Sequence, residues 1–108
     1  MTANPAIFDK GTLNLAKITI TFVGPWRLFL GTGQAAADLE DLEQAHEYIE
    51  DNFNPAYAKK LKSMGIKKMQ SVWDNSNIFL NGQDIKKLPG AKLKDGDKLD
   101  LLPKVAGG

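Results

Sequence analysis

Lys98-Leu99-Asp100-Leu101-Leu102-Pro103-Lys104-Val105-Ala106-Gly107-Gly108 is the stretch around which the rest of the chain is read. Leu99 and Leu101 share one face of a strand at period two, and Leu102 falls on the other. Pro103 has no N–H for a ladder, so pairing is expected to stop there. Beyond it, Val105, Ala106, Gly107 and Gly108 make a slim arm. A terminal glycine has no Cβ to pack and is costly to order, so it serves a fold poorly. A narrow active site in another protein could take in such an arm and act on its last carbonyl.

Working outward, the elements needed to hold that strand are present. Asp95-Gly96-Asp97 is a turn leading into it and Pro89-Gly90 an earlier one, while Ile78-Phe79-Leu80 is a brief strand closed by the tight-turn pair Asn81-Gly82. Near the other end, Ile18, Ile20 and Phe22 alternate with Lys17, Thr19 and Thr21, predicting a half-buried strand stopped by Gly24 and Pro25. The run Trp26-Arg27-Leu28-Phe29-Leu30 fits either a strand or one helical turn. After the turn Gly31-Thr32-Gly33, residues 34–39 read as an edge strand.

Residues 41–53 form the clearest helix, with Leu42, Ala45, Ile49 and Phe53 on one face and Asp41 as its cap. Asn54 as cap, Pro55 at the first helical position and Gly65 past the end bracket a second short helix over residues 55–64, with Tyr57, Leu61 and Met64 as its apolar face. Residues 66–77 read as a short strand or loop ending in the polar turn Asp74-Asn75-Ser76-Asn77. The layout is α+β, one amphipathic helix covering a sheet.

Composition narrows the chemistry. A chain of 108 residues, 43% hydrophobic and 25% charged with a net charge of +1, suits a single domain with no strong field for nucleic acid or membrane. There is no cysteine, which removes thiolate metal sites and cysteine nucleophiles, and His46 is the one histidine, so a multi-histidine metal site is not expected. Residues 1–9 lack the basic flank and apolar block of a secretion signal, and a cytoplasmic location is expected. No catalytic and no metal-binding residues are expected. His46 reads as a helix-edge residue, the carboxylates from Asp38 to Asp51 as a solvated helix face, and Lys59, Lys60, Lys62, Lys67 and Lys68 as a charge-balanced surface without the interleaved aromatics of a nucleic-acid platform. Asp95-Gly96-Asp97 lacks the later ligands of a calcium loop, and Gly31-Thr32-Gly33 lacks the lysine of a phosphate loop.

Three ordered motifs carry a resemblance. Ser76-Asn77-Ile78-Phe79-Leu80-Asn81-Gly82-Gln83-Asp84-Ile85, then Leu93-Lys94-Asp95-Gly96-Asp97-Lys98-Leu99, then Leu102-Pro103-Lys104-Val105-Ala106-Gly107-Gly108 resemble the ThiS/MoaD sulfur-carrier family. The resemblance implies a ubiquitin-like β-grasp, a mixed sheet packed on one main helix, here with an extra short helix inserted before the C-terminal strands. It makes residues 34–39 the second strand, paired with the first, and residues 24–30 a turn-rich connection. The implied domains are an N-terminal extension 1–14, a β-grasp domain 15–103 with an insertion at about 54–76, and a flexible tail 104–108.

The chemistry implied by the resemblance needs no side chain of the carrier. A ubiquitin-activating-type adenylyltransferase uses ATP and magnesium to adenylate the Gly108 carboxylate, and a sulfur donor turns it into a thiocarboxylate; the chain binds no cofactor itself. Gly107, Ala106 and Val105 would thread the partner's active site, with Leu102, Phe79 and, if not buried, Trp26 as docking anchors. Length and the Val-Ala-Gly-Gly ending point within the family to the small, non-catalytic subunit of molybdopterin synthase, working with the large subunit. Sulfur carriage for thiamine thiazole or cysteine synthesis, another sulfur acceptor enzyme, and a ubiquitin-like modifier joined through Gly108 are the alternatives.

Overall fold

The computed structural model describes residues 15–68 and 70–104. The expected extension 1–14 and the arm residues Val105, Ala106, Gly107 and Gly108 lie outside the described residues. Strand β1 (Ala16–Phe22) follows the alternation of its sequence, with Ala16, Ile18, Ile20 and Phe22 buried. Gly24, at φ +60°, turns the chain into α1 (Trp26–Leu30), and Gly31, at φ +75°, ends it. The apolar run is therefore the helical turn, not the strand. Strand β2 (Gln34–Leu39) returns antiparallel to β1, pairing Ile20 with Ala35 and Ala16 with Leu39, as the resemblance implied.

Helix α2 (Leu42–Ser63) corrects the expectation of two helices. Asp41 caps it as expected, its carboxylate accepting from the Gln44 N–H at 2.9 Å. The helix then runs through Pro55 without a break. Proline costs a helix one backbone donor and crowds the carbonyl four residues back, here that of exposed Asp51, where water can replace the lost bond. Continuity brings Tyr57 and Leu61 onto the stripe begun by Leu42, Ala45 and Ile49, all buried, and burying a large apolar side chain is worth about 1.5–3 kcal/mol. Two such residues offset the roughly 3 kcal/mol of an internal proline. Asn54 caps nothing: its side-chain oxygen accepts from the Val72 N–H at 2.9 Å. Met64, expected on the buried face, is exposed, while Gly65 ends the helix at φ +83° as anticipated.

Strand β3 (Ser76–Leu80) begins inside the polar cluster that the sequence reads as a turn, and pairs with β4 (Gln83–Asp84) across Asn81 and Gly82. Both turn residues have positive φ, +51° and +87°, which explains the Asn-Gly pair. A single 3-10 turn (Ile85–Lys87) leads to β5 (Lys98–Pro103). The sheet order is β2-β1-β5-β3-β4, with β5 parallel to β1 and antiparallel to β3. Its inner face, carrying Ile20, Phe22, Ile78, Leu80, Leu99 and Leu101, is part of one core with Ala45 and Ile49 of α2.

The Asp95-Gly96-Asp97 turn ties the start of β5 to its neighbours. Asp95 accepts from the Lys17 N–H at 2.8 Å, and the Gly96 N–H donates to the Lys17 carbonyl at 2.9 Å. Asp97 accepts from the Lys94 N–H and from the Asn81 amide, and Asn81 in turn accepts from the Lys98 N–H. The two turn motifs thus meet in space and lock one end of β5.

Candidate functional site

The strand that leads to the arm lies at the centre of the sheet, between β1 and β3. Leu99 and Leu101 are completely buried on its inner side. Its last pairing sets Pro103 opposite Ser76, and one backbone bond follows, from the Lys104 N–H to the Asn75 carbonyl at 2.8 Å. Pairing thus extends one contact past the proline, since it is Lys104 that supplies the donor.

What fixes this exit is a polar cluster that periodicity does not reveal. The Trp26 indole N–H donates to the Ser76 hydroxyl at 2.9 Å, and that hydroxyl donates to the Val72 carbonyl at 2.6 Å. Trp26 is only 2% exposed and packs edge-on against Tyr57, with ring centroids 4.8 Å apart. It is core, so the condition for a docking role is not met. The turn at residues 71–75 is pinned to α2 at several points. The Ser71 hydroxyl donates to the Glu50 carboxylate at 2.6 Å, His46 Nε2 lies 3.2 Å from the same oxygen, and the His46 ring stacks on Trp73 at 4.7 Å. The bond from Ser71 holds the Glu50 carboxyl below the usual carboxylate range; His46 acts in the same direction, and partial desolvation opposes both. The Asn75 side chain closes the turn on the Ser71 carbonyl at 2.8 Å. Ser71, Val72, Asn75 and Ser76 are the site residues that sequence reasoning missed.

Phe79 and Leu102 are half-buried and lie on the outer, helix-free face of the sheet. Phe79 sits opposite Asp100 and Leu102 opposite Asn77, so the two apolar residues are diagonal neighbours on adjacent strands, within reach of each other's side chains. The structure therefore brings Phe79 and Leu102 together and sends Trp26 to the opposite side. Arm residues Val105 to Gly108 are outside the described residues. Among the described residues no cluster of three His, Cys, Asp or Glu side chains is placed to hold a metal, and no helix is long and apolar enough to cross a membrane.

Residues 20–108, which include this central strand, match the model of the ThiS family. The chain belongs to the ThiS family. This is the ubiquitin-like group of sulfur carriers and protein modifiers, small carrier proteins that work with activating enzymes and sulfur acceptors. Solved structures share the β-grasp. The HVO 2177 protein of Haloferax volcanii is 22% identical with a TM-score of 0.61, the match covering 96% of this chain and 94% of that one. The small archaeal modifier protein 1 of Methanosarcina acetivorans is 25% identical, with a TM-score of 0.51 and coverage of 87% and 98%. A candidate molybdopterin converting factor, subunit 1, from Pyrococcus furiosus is 18% identical, with a TM-score of 0.54 and coverage of 83% and 99%. No curated protein matches the sequence.

Proposed function

We propose that this member of the family is a sulfur carrier that acts through the carboxyl carbon of Gly108 and donates its sulfur in molybdopterin biosynthesis. The observation that carries the reading is that the family match runs through Gly108 and includes the whole of the strand leading to it. A carboxylate resists nucleophiles until one oxygen is made a leaving group. An activating enzyme with ATP and magnesium supplies that step: the Gly108 oxygen attacks the α-phosphate, pyrophosphate leaves, and a sulfur nucleophile then displaces AMP to leave a thiocarboxylate. Gly107 and Ala106 keep the arm narrow, Val105 fills the first groove of the partner, and Phe79 with Leu102 forms the docking patch on the sheet. The molybdopterin assignment draws on the Val-Ala-Gly-Gly motif of residues 105–108, with the large subunit of molybdopterin synthase as the acceptor.

The likeness to small archaeal modifier protein 1 favours a second use of the same carboxyl, isopeptide attachment to lysine amines. Sulfur and amine compete for one acyl-adenylate, so the two uses share every step before AMP leaves. Incubation with ATP, magnesium, the activating enzyme of the same source and a sulfur donor, followed by intact-mass measurement, tests the carrier reading. A mass gain of one sulfur-for-oxygen exchange, absent when Gly108 is deleted, is the expected result. No gain with any activating enzyme of the host refutes it, and Gly108 found joined to lysines of other proteins without any thiocarboxylate favours the modifier.

A further inference from the structure

Residues 52–73 hold Lys59, Lys60, Lys62, Lys67 and Lys68 and not one aspartate or glutamate. Among the described residues none of these lysines reaches a carboxylate, whereas Lys92 reaches both Glu40 and Asp41. Lys59, Lys62, Lys67 and Lys68 stand around an open groove of about 630 Å³ where the end of α2 meets the loop after Gly65. Ala58, Gly65 and Ile66 complete the lining, which is mostly carbon. Ile66 and Met64 are among the few large apolar side chains that the described residues leave exposed. A cationic rim around an apolar recess therefore stands with neither its charge nor its carbon surface matched.

Its place in the fold gives it a use. The groove is on the part of α2 beyond Tyr57, which packs on Trp26; Trp26 is bonded to Ser76, and Ser76 faces Pro103. It therefore lies at the end of the sheet from which the chain leaves at Lys104. We propose that this groove is a second docking point for the enzyme that takes the arm, filled by a segment of that enzyme presenting apolar side chains flanked by carboxylates. The proposal rests on the reading that a partner takes the arm. Lysine stems lie along apolar surface while their ammonium groups reach outward, which matches a leucine held between glutamates. Among the described residues no aromatic side chain lines the recess, so they offer bases nothing to stack on. A flat lipid surface would leave it unfilled. Holding the carrier at a second point makes entry of the arm an intramolecular step, raising its effective concentration while the active site is empty.

The test uses the full chain and a fluorescein-labelled synthetic peptide, Glu-Glu-Leu-Leu-Glu-Leu-Glu-Glu. Expected are amide NMR shifts at Ala58, Gly65 and Ile66, and binding weakened roughly tenfold by K62E/K67E, since each exposed ion pair reversed costs a fewfold. Equal binding of a peptide with serine in place of leucine overturns the proposal, as does no binding, or tighter binding of oligouridine RNA or phosphatidylserine vesicles at the same lysines. In the adenylation assay K62E/K67E is expected to raise KM for the carrier roughly tenfold with kcat unchanged. The charge-matched K87E/K94E is the control and leaves both unchanged. An unaltered KM in K62E/K67E overturns the groove proposal alone. Failure of the unmutated chain to form an adenylate sinks the carrier reading instead, and the peptide experiment still reports on the groove.

Discussion

Ser76→Ala is the substitution that most directly tests how the exit of β5 is held. The hydroxyl is at a residue 6% exposed, accepts from Trp26 at 2.9 Å and donates to Val72 at 2.6 Å. Alanine fits the space, so the packing change is small and the cost is polar. An indole N–H at a residue 2% exposed loses its acceptor, about 1–3 kcal/mol for a buried donor left unmade, and loss of the bond to Val72 adds about 1 kcal/mol. The sum is about 2–4 kcal/mol out of a total of roughly 5–15 kcal/mol for a domain, so the thermal midpoint should fall by roughly 10–20 °C. Urea unfolding followed by circular dichroism reads the change. Trp26→Phe removes the donor from the same pair, so W26F/S76A should cost less than the sum of its parts, by about 1 kcal/mol. A loss below about 0.5 kcal/mol for S76A, or strict additivity in the double variant, refutes the account of a buried relay from α1 through β3.

Further expectations follow from the helix, the turn and the sheet face. Pro55→Ala restores a backbone donor inside α2 and should stabilise the domain by about 1–2 kcal/mol in the same unfolding assay, less than the full propensity difference because the unfolded chain gains freedom too. The native pKa of Glu50 lies below its unfolded value, so its contribution is fully present above the ordinary carboxylate value and is lost as pH falls through the lower native one. Its side chain is 36% exposed, so the effect is small, and it shows as a flatter acid limb of the stability profile in Glu50→Gln. Leu102→Ser and Phe79→Ser should leave stability within about 1 kcal/mol while weakening binding to the activating enzyme by roughly tenfold or more, read by calorimetric titration.

Local chemistry made much of the fold readable. Alternation marks β1 and β5, and the Asn81-Gly82 and Asp95-Gly96-Asp97 turns need positive φ or short acceptor side chains that few other residues supply. Pro55 misled because its neighbours Asn54 and Gly65 complete a plausible cap and stop. Yet the stripe Leu42, Ala45, Ile49, Phe53, Tyr57, Leu61 keeps its helical phase straight through the proline, and that phase is the better signal. The exit cluster was illegible for another reason. Trp26 and Ser76 are 50 residues apart, and neither a lone tryptophan in a short apolar run nor a serine in a polar cluster announces its partner. The family was legible through its ordered motifs, and the lysine groove only once the loop after Gly65 had been folded back on α2.

The central position of β5 has a consequence for quality control during synthesis. Until β5 is in place, β1 with β2 and β3 with β4 are two separate hairpins, each with an open edge where β5 will lie. Thr19 must wait for Lys98 and Ile78 for Leu101, so closing the sheet is a late, long-range event. Open edges invite pairing with other chains, and the same strand that ends this exposure is the one that carries the arm. A partner that docks on the finished sheet face, with Phe79 beside Leu102, would therefore meet only molecules in which β5 is already seated between its neighbours.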